Sequence, residues 1–73
     1  MKRVIDHFST IKGVYFRLVS YYLENGTFQG SEVEVSQPRC GKKVIFSSIS
    51  KLEAEEVYKN AIIEQITSDL KSL

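Results

Sequence analysis

The tetrapeptide Ser50-Lys51-Leu52-Glu53 constrains the fold of this chain more than any other feature. A serine followed three residues later by a glutamate is the capping-box pattern, in which each side chain satisfies a backbone N–H that the first helical turn leaves unpaired. Further glutamates follow at once, and the helix dipole favours negative charge in a first turn. The pattern predicts a helix that begins at Lys51.

Downstream of this cap, apolar residues recur at three- and four-residue steps, which is the spacing of one face of an α-helix. This apolar stripe comprises Ala54, Val57, Tyr58, Ala61, Ile62, Ile66, Leu70 and Leu73. A polar stripe at the same spacing lies opposite to it. We therefore expect a long amphipathic C-terminal helix that reaches almost to Leu73 and packs one face on the rest of the protein.

The segment from Val14 to Leu23 is rich in β-branched and aromatic residues, which favour a strand. Asn25-Gly26 follows it, and this pair accommodates the two positive φ angles of a type I′ hairpin turn. A two-residue turn at this point pairs Leu23 with Phe28 and fixes the register of the two strands.

Continued along the hairpin, this register produces chemically sensible pairs. The apolar pairs are Leu18 with Val33 and Phe16 with Val35. Their side chains share one face of the sheet, which we expect to be the core side. On the other face Arg17 meets Glu34, so a cross-strand ion pair is predicted there.

The segment before Gly13 is predicted to be a short helix. Val4, Ile5, Phe8 and Ile11 fall at i, i+1, i+4 and i+7, which fits one helical face better than strict alternation fits a strand. A fourth strand over residues 1–12 stays open as the alternative, and it would widen the sheet.

A third strand is predicted from Lys42 to Ser48, after a polar loop that contains Pro38 and Gly41. The expected fold class is therefore α+β. It consists of a short N-terminal helix, a three-stranded antiparallel meander and a long C-terminal amphipathic helix packed on one sheet face. We expect residues 1–73 to form a single domain.

The composition agrees with one small globular domain, since 42% of the 73 residues are hydrophobic and 26% are charged. Cys40 is the only cysteine, which excludes an intramolecular disulfide and fits a reducing compartment. The apolar runs are too short for a signal peptide or a membrane span, so we expect a cytoplasmic protein without membrane partners. Because so short a chain buries a thin core, homodimerisation is a further expectation.

The chain shows no constellation of residues that would carry catalysis, hold a metal or bind a cofactor. His7 is the only histidine, and it has no partner at a spacing typical of a metal site or a catalytic pair. Cys40 lies between Arg39 and Lys42, whose positive charge favours a thiolate, but a cysteine hydrolase also needs a nearby base. We predict that the protein is not an enzyme.

The remaining signals concern binding surfaces. Tyrosine and arginine carry much of the energy of protein interfaces, and several lie on the predicted sheet and its adjoining loop. The candidate protein-binding residues are Tyr15, Arg17, Tyr21, Arg39, Lys42 and Lys43. The alternative is a nucleic-acid-binding patch. It would use Lys2, Arg3, Arg39, Lys42 and Lys43, although the formal net charge of +1 provides no global field to attract a polyanion.

In outline, the predicted order of helix, three strands and helix resembles the double-stranded RNA-binding domain. That family carries a lysine-rich signature at the start of its last helix, whereas this chain has the acidic run that begins at Ser50-Lys51-Leu52-Glu53. The likeness is therefore an analogy of fold, and it implies no function.

The first third of the chain resembles small phage and prophage proteins, among them anti-CRISPR inhibitors. The shared features are the Met1-Lys2 start, the Ser9-Thr10 pair, a hydrophobic strand and the Asn25-Gly26 turn. The resemblance implies a mode of action rather than a set of site residues. Such a protein binds a host or defence protein and blocks it without chemistry.

Overall fold

The computed structural model describes residues 1–71 of the chain as one antiparallel sheet followed by one helix. The elements are β1 (Lys2–Ile11), β2 (Val14–Tyr22), β3 (Phe28–Gln37), β4 (Gly41–Ser48) and α1 (Lys51–Lys71). The strands lie in chain order across the sheet, and α1 packs on one of its faces. The α+β class and the C-terminal helix are confirmed, whereas the predicted count of three strands is wrong.

The predicted N-terminal helix is wrong because its residues form the edge strand β1. Lys12 and Gly13 take φ angles of 49° and 81°, as the central residues of a two-residue type I′ turn do, and Ile11 pairs with Val14 across it. A shift of register between Ile5 and His7 then interrupts the alternation of side chains along β1. This irregularity gives a strand the apolar spacing that the sequence suggested was helical.

The β2–β3 hairpin closes differently from the predicted two-residue turn. Leu23 N–H donates to the carbonyl of Thr27 (2.8 Å), and Gly26 N–H donates to the carbonyl of Leu23 (2.9 Å). Of the three loop residues, 24–26, only Gly26 has a positive φ, of 91°, whereas a type I′ turn needs two such residues. The side chain of Asn25 instead accepts a hydrogen bond from Thr27 N–H (3.0 Å).

The predicted register is nevertheless confirmed along most of this hairpin. Tyr22 pairs with Phe28, so the predicted pair of Leu23 with Phe28 is wrong. One step further Tyr21 pairs with Gly30, which means that β3 contains one extra residue and recovers the predicted register. From there the observed pairs are Val19 with Glu32, Leu18 with Val33, Arg17 with Glu34 and Phe16 with Val35.

The helix begins at Lys51 as predicted, but only half of the capping box forms directly. Ser50 Oγ accepts a hydrogen bond from Glu53 N–H at 3.3 Å. The return contact passes through Ser48, whose Oγ accepts from Ser50 N–H (3.0 Å) and donates to a carboxylate oxygen of Glu53 (3.2 Å). The cap thus also fixes the end of β4 to the start of α1.

The core lies between the sheet and the first half of α1. Its buried residues are Phe16, Leu18, Val33, Ala54 and Tyr58, and Ile11, Val14, Val35, Phe46, Val57, Ala61 and Ile62 pack around them. The predicted apolar stripe is confirmed through Ile62. Ile66 continues the line of Tyr58 and Ile62 along the helix but is 44% exposed, so the predicted packing of the stripe does not extend to it. The side chains of Leu70 and Leu73 lie outside what the structure describes.

One end of the helix-covered face is polar rather than apolar. Ser20 and Ser31 are buried, and their hydroxyls are 2.8 Å apart. Because the Ser20 hydroxyl donates to the carboxylate of Asp6, the Ser31 hydroxyl donates to Ser20. Lys51 Nζ lies 3.5 Å from Asp6 Oδ1 and 3.5 Å from the hydroxyl of Tyr22. These contacts attach the start of α1 to β1 and β2.

No helix within residues 1–71 is both long enough and apolar enough to span a bilayer.

Candidate functional site on the open face of the sheet

The candidate site is the sheet face that points away from α1, which we call the open face. Strand alternation and the observed register place on it Arg3, Ile5, Phe8, Tyr15, Arg17, Val19, Tyr21, Glu32, Glu34, Lys42 and Val44. Within residues 1–71 the core residues all lie on the other face. The open face is therefore the larger sheet surface available to a partner.

A buried carboxylate lies at the centre of the open face. Glu34 is only 1% exposed, and both of its carboxylate oxygens accept hydrogen bonds from one Nη of Arg3, at 2.9 and 3.0 Å. Lys42 Nζ lies 3.9 Å from the same carboxylate. The hydrogen bond to Glu34 is also the main reason that the pKa of Arg3 is raised. These contacts give the buried charge the partners that it needs.

The ion pair lies at the level of Val19, which is fully buried on a face with no second layer among the described residues. Arg3 is paired with Tyr21, and Glu34 is paired with Arg17. A contact between Arg3 and Glu34 therefore crosses β2 at Val19. An arginine that spans a strand in this way can lay its aliphatic stem on apolar surface while its guanidinium binds the carboxylate.

The register of Arg17 with Glu34 is as predicted, but the guanidinium that binds this carboxylate is the one from Arg3. The Arg17 guanidinium instead lies over the ring of Phe8, 5.6 Å from its centroid. A cation over an aromatic face is an attractive arrangement that also holds both side chains in place.

Next to the charged centre is an exposed apolar surface, the aromatic strip, which consists of Ile5, Phe8, Tyr15 and Arg17. Phe8 is 54% exposed, Ile5 49% and Tyr15 39%. The rings of Phe8 and Tyr15 are 5.9 Å apart. The strip therefore presents aromatic and aliphatic surface side by side, with Arg17 as its polar member.

The remaining tyrosine on this face is held by a hydrogen bond. The hydroxyl of Tyr21 donates to a carboxylate oxygen of Glu32, its neighbour across the β2–β3 pair, at 3.1 Å. The contact fixes the Tyr21 ring over the sheet. It also leaves Tyr21 less available to a partner than Tyr15.

Four of the six candidate residues predicted from the sequence lie on the open face: Tyr15, Arg17, Tyr21 and Lys42. Lys43 pairs with Val35 and so lies on the helix-covered side of the sheet. Arg39 lies in the turn between β3 and β4, at the end of the sheet. The structure brings the first four together and separates the other two from them.

Sequence reasoning missed the contribution of β1, which supplies Arg3, Ile5 and Phe8 to the open face. The helix preferred for this segment gave these residues no place on the sheet, and the alternative of a fourth strand over residues 1–12 did not say which face they would occupy. The signal that could have found them is Lys12-Gly13, since a residue pair ending in glycine between two apolar segments is compatible with a tight hairpin turn.

The basic residues proposed as an alternative nucleic-acid patch do not form one cluster. Lys2 pairs with Tyr22 near the β2–β3 turn, whereas Arg39 lies in the turn at the opposite end of the sheet. Arg3 and Lys42 both direct their charge to Glu34. Phosphate binding through these two side chains would compete with the buried carboxylate.

His7 and Cys40 remain apart from each other and from the open face. The ring of His7 stacks on Tyr58 with 5.8 Å between centroids, while Cys40 is exposed in the β3–β4 turn. In the part of the chain that the structure describes, no group of three or more histidine, cysteine, aspartate or glutamate side chains is placed to hold a metal ion.

Comparison of the chain with protein-family models, with curated proteins and with solved structures finds no match.

Proposed function

We propose that the protein is a non-enzymatic protein-binding module that inhibits a host or defence protein in the cytoplasm by covering part of its surface. The observation that carries the proposal is the aromatic strip, where Phe8 and Tyr15 are exposed side by side and Arg17 stacks on Phe8. The inhibitory part of the proposal rests on the resemblance of the N-terminal third of the chain to phage-type inhibitors, which implies that mode of action.

The composition of the strip supports binding to a protein. Tyrosine and arginine are enriched among the residues that dominate interface energies, and aromatic side chains supply large contact areas with few rotatable bonds. An exposed apolar patch on a small domain also indicates an interaction surface. The expected partner therefore offers an apolar depression for Phe8 and Tyr15, with a hydrogen-bond acceptor within reach of Arg17.

The rigidity of the strip supports tight binding. Phe8 and Tyr15 lie on two strands that pair with each other, and the contact of Arg17 with Phe8 links their side chains. A surface that is already ordered loses little conformational entropy when a partner binds. The adjacent pair of Arg3 and Glu34 holds the strands beneath the strip in position.

The test is capture of partners from a bacterial lysate by the tagged protein, with and without nuclease and over a range of salt concentrations. The variant Y15A/R17A should lose a stoichiometric protein partner that the wild type retains after nuclease treatment. K43A is the matched control, because the sequence suggested Lys43 for the same site and the structure places it on the other side of the sheet. We expect K43A to capture the partner normally.

Two outcomes would contradict the proposal. If nuclease removes every partner and binding weakens steeply with salt, the protein binds nucleic acid through its basic residues. If Y15A/R17A and the wild type capture the same protein equally well, the open face is not the binding surface.

A further inference from the structure

The outer side of α1 carries two apolar side chains that the sheet leaves uncovered. Leu52 is 79% exposed and Ile63 is 57% exposed. At 3.6 residues per turn, both lie on the side of α1 turned away from the buried residues Ala54 and Tyr58. We call these two residues, with Glu56 and Lys59 between them on the same side, the outer stripe.

The spacing along this side is that of a helix-pairing seam. Starting at Leu52 and continuing in alternating steps of four and three residues, the chain presents Leu52, Glu56, Lys59 and Ile63. Apolar residues therefore occupy the two ends of the seam. A glutamate and a lysine occupy its middle.

We infer that the outer stripe binds a second copy of this chain in an antiparallel pair, with a two-fold axis level with the midpoint between residues 57 and 58. This axis brings every member of the seam opposite a complementary residue of the other copy. The layers are Leu52 with Ile63 and Glu56 with Lys59, and each occurs twice by symmetry.

The charges decide the orientation of the pair. In a parallel pair in register, Glu56 would face Glu56 and Lys59 would face Lys59, which places like charges together at the centre of the seam. In the antiparallel pair, each glutamate faces a lysine. The apolar residues agree with this choice, because the same axis also places Leu52 of each copy opposite Ile63 of the other.

The pairing leaves the binding surface of each copy free. The outer stripe and the open face lie on opposite sides of the protomer, with the sheet and α1 between them. The dimer therefore presents two open faces on its two outer sides. A dimer of this form engages two copies of a partner at once, which raises its apparent affinity for a repetitive or clustered target.

Sedimentation equilibrium of the untagged protein over a wide concentration range tests the dimer. We expect I63E to weaken self-association by about 100-fold or more, because an unpaired carboxylate would be buried against Leu52 of the second copy. The matched control is I45E, which places the same charge at an exposed isoleucine of β4 outside the seam and should associate like the wild type.

A charge exchange separates a specific pairing from a general effect of charge. E56K and K59E should each weaken the dimer, because each places like charges in the two central layers. The double variant E56K/K59E restores complementary layers and should recover dimerisation. A double variant that stays as weak as the single ones would overturn the proposed layers.

Crosslinking tests the orientation. In a C40S background, a mixture of L52C and I63C should form a disulfide between the two different variants under mild oxidation. Neither variant alone should crosslink, since its two cysteines would lie about 16 Å apart along the helix axis at ~1.5 Å per residue. Rapid crosslinking of L52C with itself would indicate a parallel pair, and a protein that stays monomeric at high concentration would overturn the inference altogether.

Discussion

The two faces of the sheet reach complete burial by different means. On the helix-covered face, Leu18 and Val33 are fully buried beneath α1 by apolar packing. On the open face, Val19 and Glu34 are buried to the same degree although no described element covers them. There the side chain of Arg3 reaches across β2 at the level of Val19 and donates two hydrogen bonds to the carboxylate of Glu34.

The difference shows how a small sheet can keep one face ordered and still available. Apolar packing on both faces would require a second layer, for which a chain of this length has few residues. An ion pair across three strands fixes the open face without covering it. The exposed strip of Phe8 and Tyr15 therefore lies beside a rigid charged centre rather than in a mobile loop.

The largest effect is expected on the covered face. L18A should lower the free energy of unfolding by about 3–4 kcal/mol, because it leaves a cavity under α1 in a domain that has little stability to lose. Urea unfolding followed by circular dichroism measures the loss. Y15A, on the exposed strip, is the contrast and should change stability by less than about 0.5 kcal/mol. Equal losses in the two variants would contradict the assigned roles of the faces.

A smaller effect is expected when the ion pair of the open face is removed. R3M should cost about 2 kcal/mol, because Glu34 then stays buried without the two hydrogen bonds that it accepts from Arg3. Combining R3M with E34L should recover much of that loss, since the double variant leaves no buried charge. Losses that simply add in the double variant would show that Arg3 and Glu34 act independently.

The smallest effect concerns the ion pair that attaches α1 to the sheet. The pKa of Lys51 is raised, first by its hydrogen bond to Tyr22 and then by the charge of Asp6. A raised pKa in the folded state contributes stability below the pKa of the unfolded chain, and this contribution disappears as pH rises through the folded value. Between about pH 9 and 12 the wild type should therefore lose more thermal stability than K51M. The same loss in both proteins would refute a role for Lys51.

The sequence was sufficient for the elements whose signals are local. The cap at Ser50, the strand β2 and the central pairing of Leu18 with Val33 were all predicted correctly. The pairing was predicted correctly although the turn was not. The observed loop is one residue longer than predicted, which shifts the register by one residue, and the extra residue of β3 before Gly30 shifts it back. Hydrophobic alternation fixes the register more strongly than the turn does.

The sequence was not sufficient for β1 or for the centre of the open face. The irregularity between Ile5 and His7 places Ile5 and Phe8 on one face of a strand three residues apart, which is also a helical spacing. The contact of Arg3 with Glu34 joins residues on strands that are not neighbours, so pairing rules assigned the carboxylate to Arg17 instead. Both features depend on how three strands pack together.

The most direct test of the account is capture of the protein partner by F8A, measured together with the thermal stability of the variant. Phe8 is the most exposed member of the aromatic strip, and it does not belong to the hydrophobic core. We predict that F8A loses the partner while its melting temperature stays close to that of the wild type, and that I45A loses neither. Full capture by a folded F8A would contradict the claim that the open face is the binding surface.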